Sequence, residues 1–332
     1  MAIVISKNSA LNDDLWKPVG QVINAVLMDT DSEKTEHDKL VGQLAIEKKS
    51  KKYAEKQTSL TALGSFGITN EGDAAPMDDF QEGTPKLIIH NTFKKSVDMT
   101  REMLEDGDID GMKTMARQLV IAYKRTRAEL VTSFLSAEGS TFSYGGKSAL
   151  DRATGDGVGL FDTAHKSVKP DVATQSNVFT NGFSADMLIR LGNIMRNFKN
   201  ESGQVTGFVA NKIIIPGNCW QMEETIKRLI ASDHIIASDF NDVNTQKGKW
   251  ELVVDPLWQV ASGKNPYIIM SDEANKAYNG TVFYDRVALD VKNEVDLDTR
   301  NLRYNGYCRM SVGANNWRHV ILGGADVGTT LS

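Results

Sequence analysis

In the stretch KLIIHNTFKKSVDMT (86–100) apolar and polar side chains alternate. Leu87, Ile89, Phe93, Val97 and Met99 share one face, and His90, Lys94, Ser96 and Asp98 share the other. A period of two held over 13 residues predicts a strand longer than the usual five or six. Upstream, SLTALGSFGIT (59–69) predicts a second strand. Between them NEGDAAPMDDFQEGTP (70–85) reads as an acidic loop carrying five acids and no base. Residues 58–99 are therefore expected to form an extended hairpin. A hairpin with one moderately apolar face is not stable by itself in water. It should lie on another body, and a second subunit is the natural candidate.

Beyond residue 110 the period lengthens to that of a helix. Met112, Met115, Leu119, Tyr123, Leu130 and Phe134 fall three or four apart, or at multiples of that spacing, as one apolar stripe. Asp110 is the expected N-cap and Gly139 the expected stop. The helix, residues 111–138, would run to roughly 40 Å, a spine more than an ordinary domain helix. Its basic residues Lys113, Arg117, Lys124, Arg125 and Arg127 have two readings that the spacing leaves open. They are a solvated back, or a landing surface for an acidic loop or DNA.

Before the hairpin, residues 1–30 read as an arm with a short helix and 31–56 as a charge-rich solvated face. After the spine, residues 139–182 are rich in Gly, Ser, Thr and Asn and read as a connection with short elements. Helix and strand then alternate. SADMLIRLGNIMRNFKNES is a helix capped by Ser184, FVANKIIIP a buried strand, NCWQMEETIKRLIAS a helix, and WELVVDP and YIIMS are strands. The last 50 residues read as long strands.

Composition narrows the class. The chain has 332 residues, 41% hydrophobic and 24% charged, with 38 Lys and Arg against 43 Asp and Glu, a formal charge of −5. It can bury a large core, and its balance argues against gripping nucleic acid over a wide basic face. Cys219 and Cys308 stand in no metal or redox spacing and read as buried thiols in a reducing compartment. No signal peptide is expected at the start, and no apolar run approaches the roughly 18 residues that span a bilayer.

Three stretches imitate chemistry. GSTFSYGGKS ends like a phosphate loop, but Thr141 stands where the first glycine should be and a helix precedes it. DGDIDG (106–111) opens like a calcium loop, but Arg117 stands where a bidentate Glu is needed; Asp108 and Asp110 at a helix N-terminus account for the cluster. In GLFDTAH, Asp162 and His165 suggest a catalytic pair or half of a metal site. No G-x-S-x-G elbow accompanies them, and no two of the five histidines lie within five residues of each other. Loop-holding hydrogen bonds, with Phe161 packed beneath, are the expected role. No catalytic residue, cofactor or metal is assigned.

The order of elements resembles the major capsid proteins of tailed bacteriophages, the Hong Kong 97-type fold, and most of all the Mu-like major head subunits. FKKSVDMTREMLEDGD leading into ARQLVIAYKRTRAELVTSFL, then GLFDTAH, IIIPGNCW, WELVVDPLW, NPYIIMSD and YNGYCRMSVGANNWRHVILGG carry the likeness over about residues 50–325. The resemblance implies an α+β fold. Its parts would be an N-terminal arm (1–57), an E-loop hairpin (58–99), a peripheral domain with the spine helix (100–182), an axial domain (183–280) and closing strands returning to the peripheral domain (281–332). It implies a structural shell protein of the virion, assembled in the bacterial cytoplasm as pentamers and hexamers around double-stranded DNA held without sequence specificity. A separate scaffold, a portal, a decoration protein and no membrane complete the expected partners. Asp78, Asp79 and Glu82 of the hairpin loop, and Arg117, Lys124, Arg125 and Arg127 of the spine, are the expected intersubunit contacts. An encapsulin-like compartment shares this fold and is the alternative; a hydrolase or nucleotide-binding enzyme is the rival from another class.

Overall fold

The computed structural model describes residues 3–8, 14–58, 85–234, 243–325 and 328–331, with short runs between 66 and 83. In chain order its elements begin with β1 (Val4–Asn8), α1 (Lys17–Ser32), α2 (Glu36–Leu44), β2 (Ile46–Lys49), β3 (Ala54–Gln57), β4 (Lys86–Ile89), β5 (Asn91–Met99), α3 (Arg101–Glu105) and α4 (Ile109–Ser136). Then follow β6 (Thr141–Tyr144), β7 (Lys147–Asp151), α5 (Ala185–Arg196), β8 (Lys212–Pro216), α6 (Trp220–Ala231), β9 (Glu251–Asp255) and β10 (Tyr267–Met270). The chain closes with α7 (Asp272–Tyr278), β11 (Thr281–Val295), β12 (Leu302–Ala314) and β13 (Val320–Gly323). Two units result, residues 1–55, 89–131 and 283–312 in the first and 56–88, 132–282 and 313–332 in the second.

The first unit is built on a five-stranded sheet of order β1-β11-β12-β5, with β2 also on β11. β5 runs antiparallel to β12 from Met99 opposite Leu302 to Asn91 opposite Met310. Along β12, Leu302, Tyr304, Cys308 and Met310 are buried while Arg303 and Asn305 are exposed, the alternation of a sheet covered on one face. The covered face meets α4. A Cβ added to Gly306 would stand 3.1 Å from Leu289 Cδ1 and 3.5 Å from Leu119 Cδ1, so the glycine lets helix and sheet close up.

The spine helix stands where its stripe predicts, 28 residues long, about 42 Å. Its start is capped by Asp108, whose Oδ1 accepts from the Gly111 amide at 2.9 Å, and not by Asp110, two residues too late. The arm carries a fuller helix than expected, 16 residues in α1. The charge-rich stretch after it hides α2, started by a capping box between Thr35 and Asp38 and buried through Leu40, Val41 and Leu44. Three apolar positions among many charges gave too faint a stripe to find.

The hairpin over 58–99 is not formed as expected. β5 pairs with β12, and β4 pairs with β3 as a two-stranded ribbon. The alternation holds along β5, but in β4 the opposite face is covered: Leu87 and Ile89 are 51% and 49% exposed while Lys86 and Ile88 are buried. Alternation shows a strand and cannot say which face its neighbours will cover. Residues 59–65 of the expected first strand lie outside the described residues.

The second unit holds a four-stranded sheet of order β13-β10-β8-β9. β8 is parallel to β9 and antiparallel to β10. Every residue of β8 and β10 is buried, as continuous apolar runs require. α5 packs on β13 and α6 on β9, and Ser184 caps α5 through the Met187 amide. The unit boundaries fall inside α4 after Val131 and inside β12 after Val312, where 182 and 280 were expected. β13, expected among strands of the peripheral domain, instead pairs with β10.

Candidate functional site

The imitated motifs are structural. Gly145 and Gly146, with φ of 59° and 79°, form the two-residue turn between β6 and β7, where Tyr144 pairs with Lys147; the GGKS resemblance is a hairpin turn. Asp106 ends α3 and Asp108 begins α4, with left-handed Gly107 between them (φ 76°).

His165 is buried, and its partner is not Asp162. Nδ1 lies 2.7 Å from Asp156 Oδ2 and Nε2 lies 3.1 Å from Asn177 Oδ1. Asn177 is oriented by its own bonds, because Nδ2 donates to the Leu160 and Val320 carbonyls and Oδ1 accepts from the Asp162 amide. Both ring nitrogens thus face side-chain oxygens. The ring stacks on Trp317 at 4.2 Å. Burial pushes the Asp156 carboxyl up, but the hydrogen bond and charge of His165, with help from Thr154 and the Val158 backbone, hold it below its usual range. Asp162 caps its own loop through the Ala164 amide, and Phe161 packs against the Arg152 guanidinium at 5.1 Å. No nucleophile contacts the imidazole among the described residues.

His319 has a different pattern. Nδ1 faces the Asn316 carbonyl at 2.9 Å and Nε2 faces the Thr281 hydroxyl at 2.9 Å, so a neutral ring donates to one and accepts from the other. Full burial pushes its pKa down to about 3. His319 and Arg152 were both missed in the sequence, because each acts through partners distant along the chain or on the backbone. Arg152 is fully buried and donates to the carbonyls of Phe134 (2.5 Å), Leu135 (3.2 Å) and Gly139 (2.8 Å), closing the C-terminal end of α4. Burial lowers its pKa to about 9.

The expected contact residues divide. Arg117 and Arg125 are exposed, the latter 3.5 Å from Glu129. Lys124 and Arg127 are buried within their own unit and present no landing surface. Lys124 Nζ donates to the carbonyls of Thr30 (3.1 Å), Asp31 (3.0 Å) and Glu33 at the end of α1. Arg127 reaches Asp38 at 3.0 Å and Glu47 at 2.6 Å. Burial would lower the Arg127 pKa, but Tyr123, Glu47, Asp285 and Asp38 raise it overall. These cations tie the N-terminal helices to the spine, a role invisible on a helix read alone. Asp78 and Asp79 lie outside the described residues; Glu82 is exposed and lines a cavity of about 290 Å³ with Asp156, Lys166 and Arg318.

Relatives give this arrangement its meaning. The structure is similar to the capsid of a native GTA particle, with 11% identity over 88% of this chain and 90% of that one and a TM-score of 0.55. It is also similar to the capsid of Ralstonia phage GP4, with 14% identity over 84% and 86% and a TM-score of 0.52. A search of curated proteins by sequence returns no match. The sequence model of a phage capsid protein family matches residues 85–322, from β4 to β13. The chain therefore belongs to the phage capsid protein family, and it is a structural major capsid protein with the Hong Kong 97-type fold.

Proposed function

We propose that this subunit forms an icosahedral shell of pentamers and hexamers around double-stranded DNA, with assembly in the bacterial cytoplasm. A separate scaffold, a portal and a decoration protein are the proposed partners, and a head of the Mu-like type is the proposed particle. The observation that carries the reading is a one-sided sheet backed by a 28-residue helix, inside a family match that spans both units. The first unit corresponds in this reading to the peripheral domain with its arm, and residues 132–282 to the axial domain. The E-loop is the segment between β3 and β4, because residues 91–99 belong to a sheet.

The acidic stretch 70–85 is proposed to dock on a neighbouring copy. Its receptor on the spine is reduced to Arg117 and Arg125, since Lys124 and Arg127 are engaged internally. Negative-stain electron microscopy with mass photometry tests the main reading: shells, tubes or free capsomers support it. A subunit that stays monomeric with every candidate scaffold would overturn it. Reversal of Asp78 and Asp79 to Lys should impair assembly, and normal shells from that variant would exclude the docking.

A further inference from the structure

On the sheet face turned away from α4, cations and partners match row by row until one end. Arg303 meets Asp98 with two bonds of 2.6 and 2.7 Å. Lys94 Nζ lies 5.9 Å from the centre of the Tyr307 ring, to which it is paired in register. In the next rows the matching stops. Arg309 stands opposite Thr92. Ser311 meets His90, with 2.9 Å from Oγ to Nδ1. Tyr284 of β11 sets its ring edge-on to His90 at 6.1 Å, which places Arg286, two residues on, on the same face.

Arg286 Nη1 and Arg309 Nε are shut off from water with no hydrogen-bond partner among the described residues, yet both side chains are only partly buried. Each guanidinium has lost part of its hydration and keeps the rest of its fork open. The acid of this corner, Glu55, is occupied by the Ser50 hydroxyl at 2.7 Å and by Lys52 at 3.6 Å. Asp290 lies four residues along β11 from Arg286, about 13 Å by strand rise. Burial first, and then the charges of Arg286 and Arg309 against the opposing pull of Glu55, keep the His90 pKa low, so the histidine adds no competing charge. Two unmatched, partly desolvated guanidinium groups are costly unless an anion joins them.

We propose that Arg286 and Arg309, with Thr92 in register beside Arg309, form a binding site for a phosphate oxyanion, free or carried on a nucleic-acid backbone. A carboxylate fills one guanidinium fork, whereas a tetrahedral phosphate offers oxygens to donors arriving from two strands and balances both charges. All the residues belong to one unit of one chain, so the site is independent of shell formation.

The test uses the full-length, unassembled subunit. Its melting temperature is measured in sodium phosphate and in sodium chloride at equal ionic strength. Phosphate should raise it by about 5 °C near a hundredfold excess over Kd. The R286Q/R309Q variant should lose that rise. Should this pair fail to fold by circular dichroism, R286K/R309K keeps the charge without the fork and should lose most of it. A 20-base-pair duplex, followed by fluorescence anisotropy across salt, separates the sources. A slope of log K on log salt that becomes shallower by about one in the variant, for the one phosphate the pair would neutralise, assigns the site to nucleic acid; an unchanged slope with the phosphate rise intact assigns it to free phosphate. No phosphate effect beyond chloride together with an unchanged slope, or a full effect in the lysine pair, overturns the proposal. So does stabilisation by a peptide of residues 70–85 where phosphate gives none, which would make the site a carboxylate receptor.

Discussion

The two sheets of this protein solve opposite problems. In the second unit the inner strands β8 and β10 are buried along their whole length, so the middle of that sheet is a core. In the first unit the inner strand β12 is buried on every second residue from Leu302 to Met310, while the alternate positions there carry Arg303, Asn305, Tyr307 and Arg309. One sheet is spent on stability and the other is half available for recognition. In a shell protein, tolerance to substitution should follow this division.

Ile269→Ala, in the middle of β10, should cost the most, about 2–5 kcal/mol in urea unfolding. A loss below 1 kcal/mol would mean that the second sheet is not the closed core described. Arg152→Ala removes the donors to three carbonyls at the end of α4 and should cost about 2–3 kcal/mol; wild-type stability in that variant would show that water replaces the guanidinium. His319 gives a signature in pH. Its folded pKa is depressed to about 3 from an unfolded value near 6.5, so its stabilisation is present above about 6.5 and is lost as pH falls toward 3. The wild-type acid limb should be steeper than that of His319→Gln by up to about 1.4 kcal/mol per pH unit, and superimposable limbs would refute the assignment. Arg303→Gln on the open face should leave the urea midpoint unchanged within replicate scatter, since an exposed ion pair contributes little. A loss there equal to that of Ile269→Ala would abolish the contrast between the sheets.

What the sequence made legible follows the same line. Continuous apolar runs such as KIIIP and YIIM are two-sided burial written locally, and so are the stripe of α4 and the cap at Ser184. The buried face of β4 was not legible, because alternation is symmetric between its two sets of residues. The duties of Lys124 and Arg127 were hidden because their partners, residues 30–47, are roughly eighty or ninety positions away. The nearest acid to His165 in sequence, Asp162, drew attention that belonged to Asp156, nine residues upstream. Local rules find elements; pairing across the chain decides what their polar residues do.

The pairing of β5 with β12 also sets a clock on synthesis. Met99 must wait for Leu302, some 200 residues later, which at bacterial-like elongation rates is roughly 10–40 s. During that wait β5 and the apolar side of α4 lack the strands that cover them. An interrupted chain that stops before β12 leaves the first unit without its central strand, so only a subunit translated through residue 314 carries a finished sheet into assembly. A chain that ends before β12 therefore lacks the one strand on which both β11 and β5 pair.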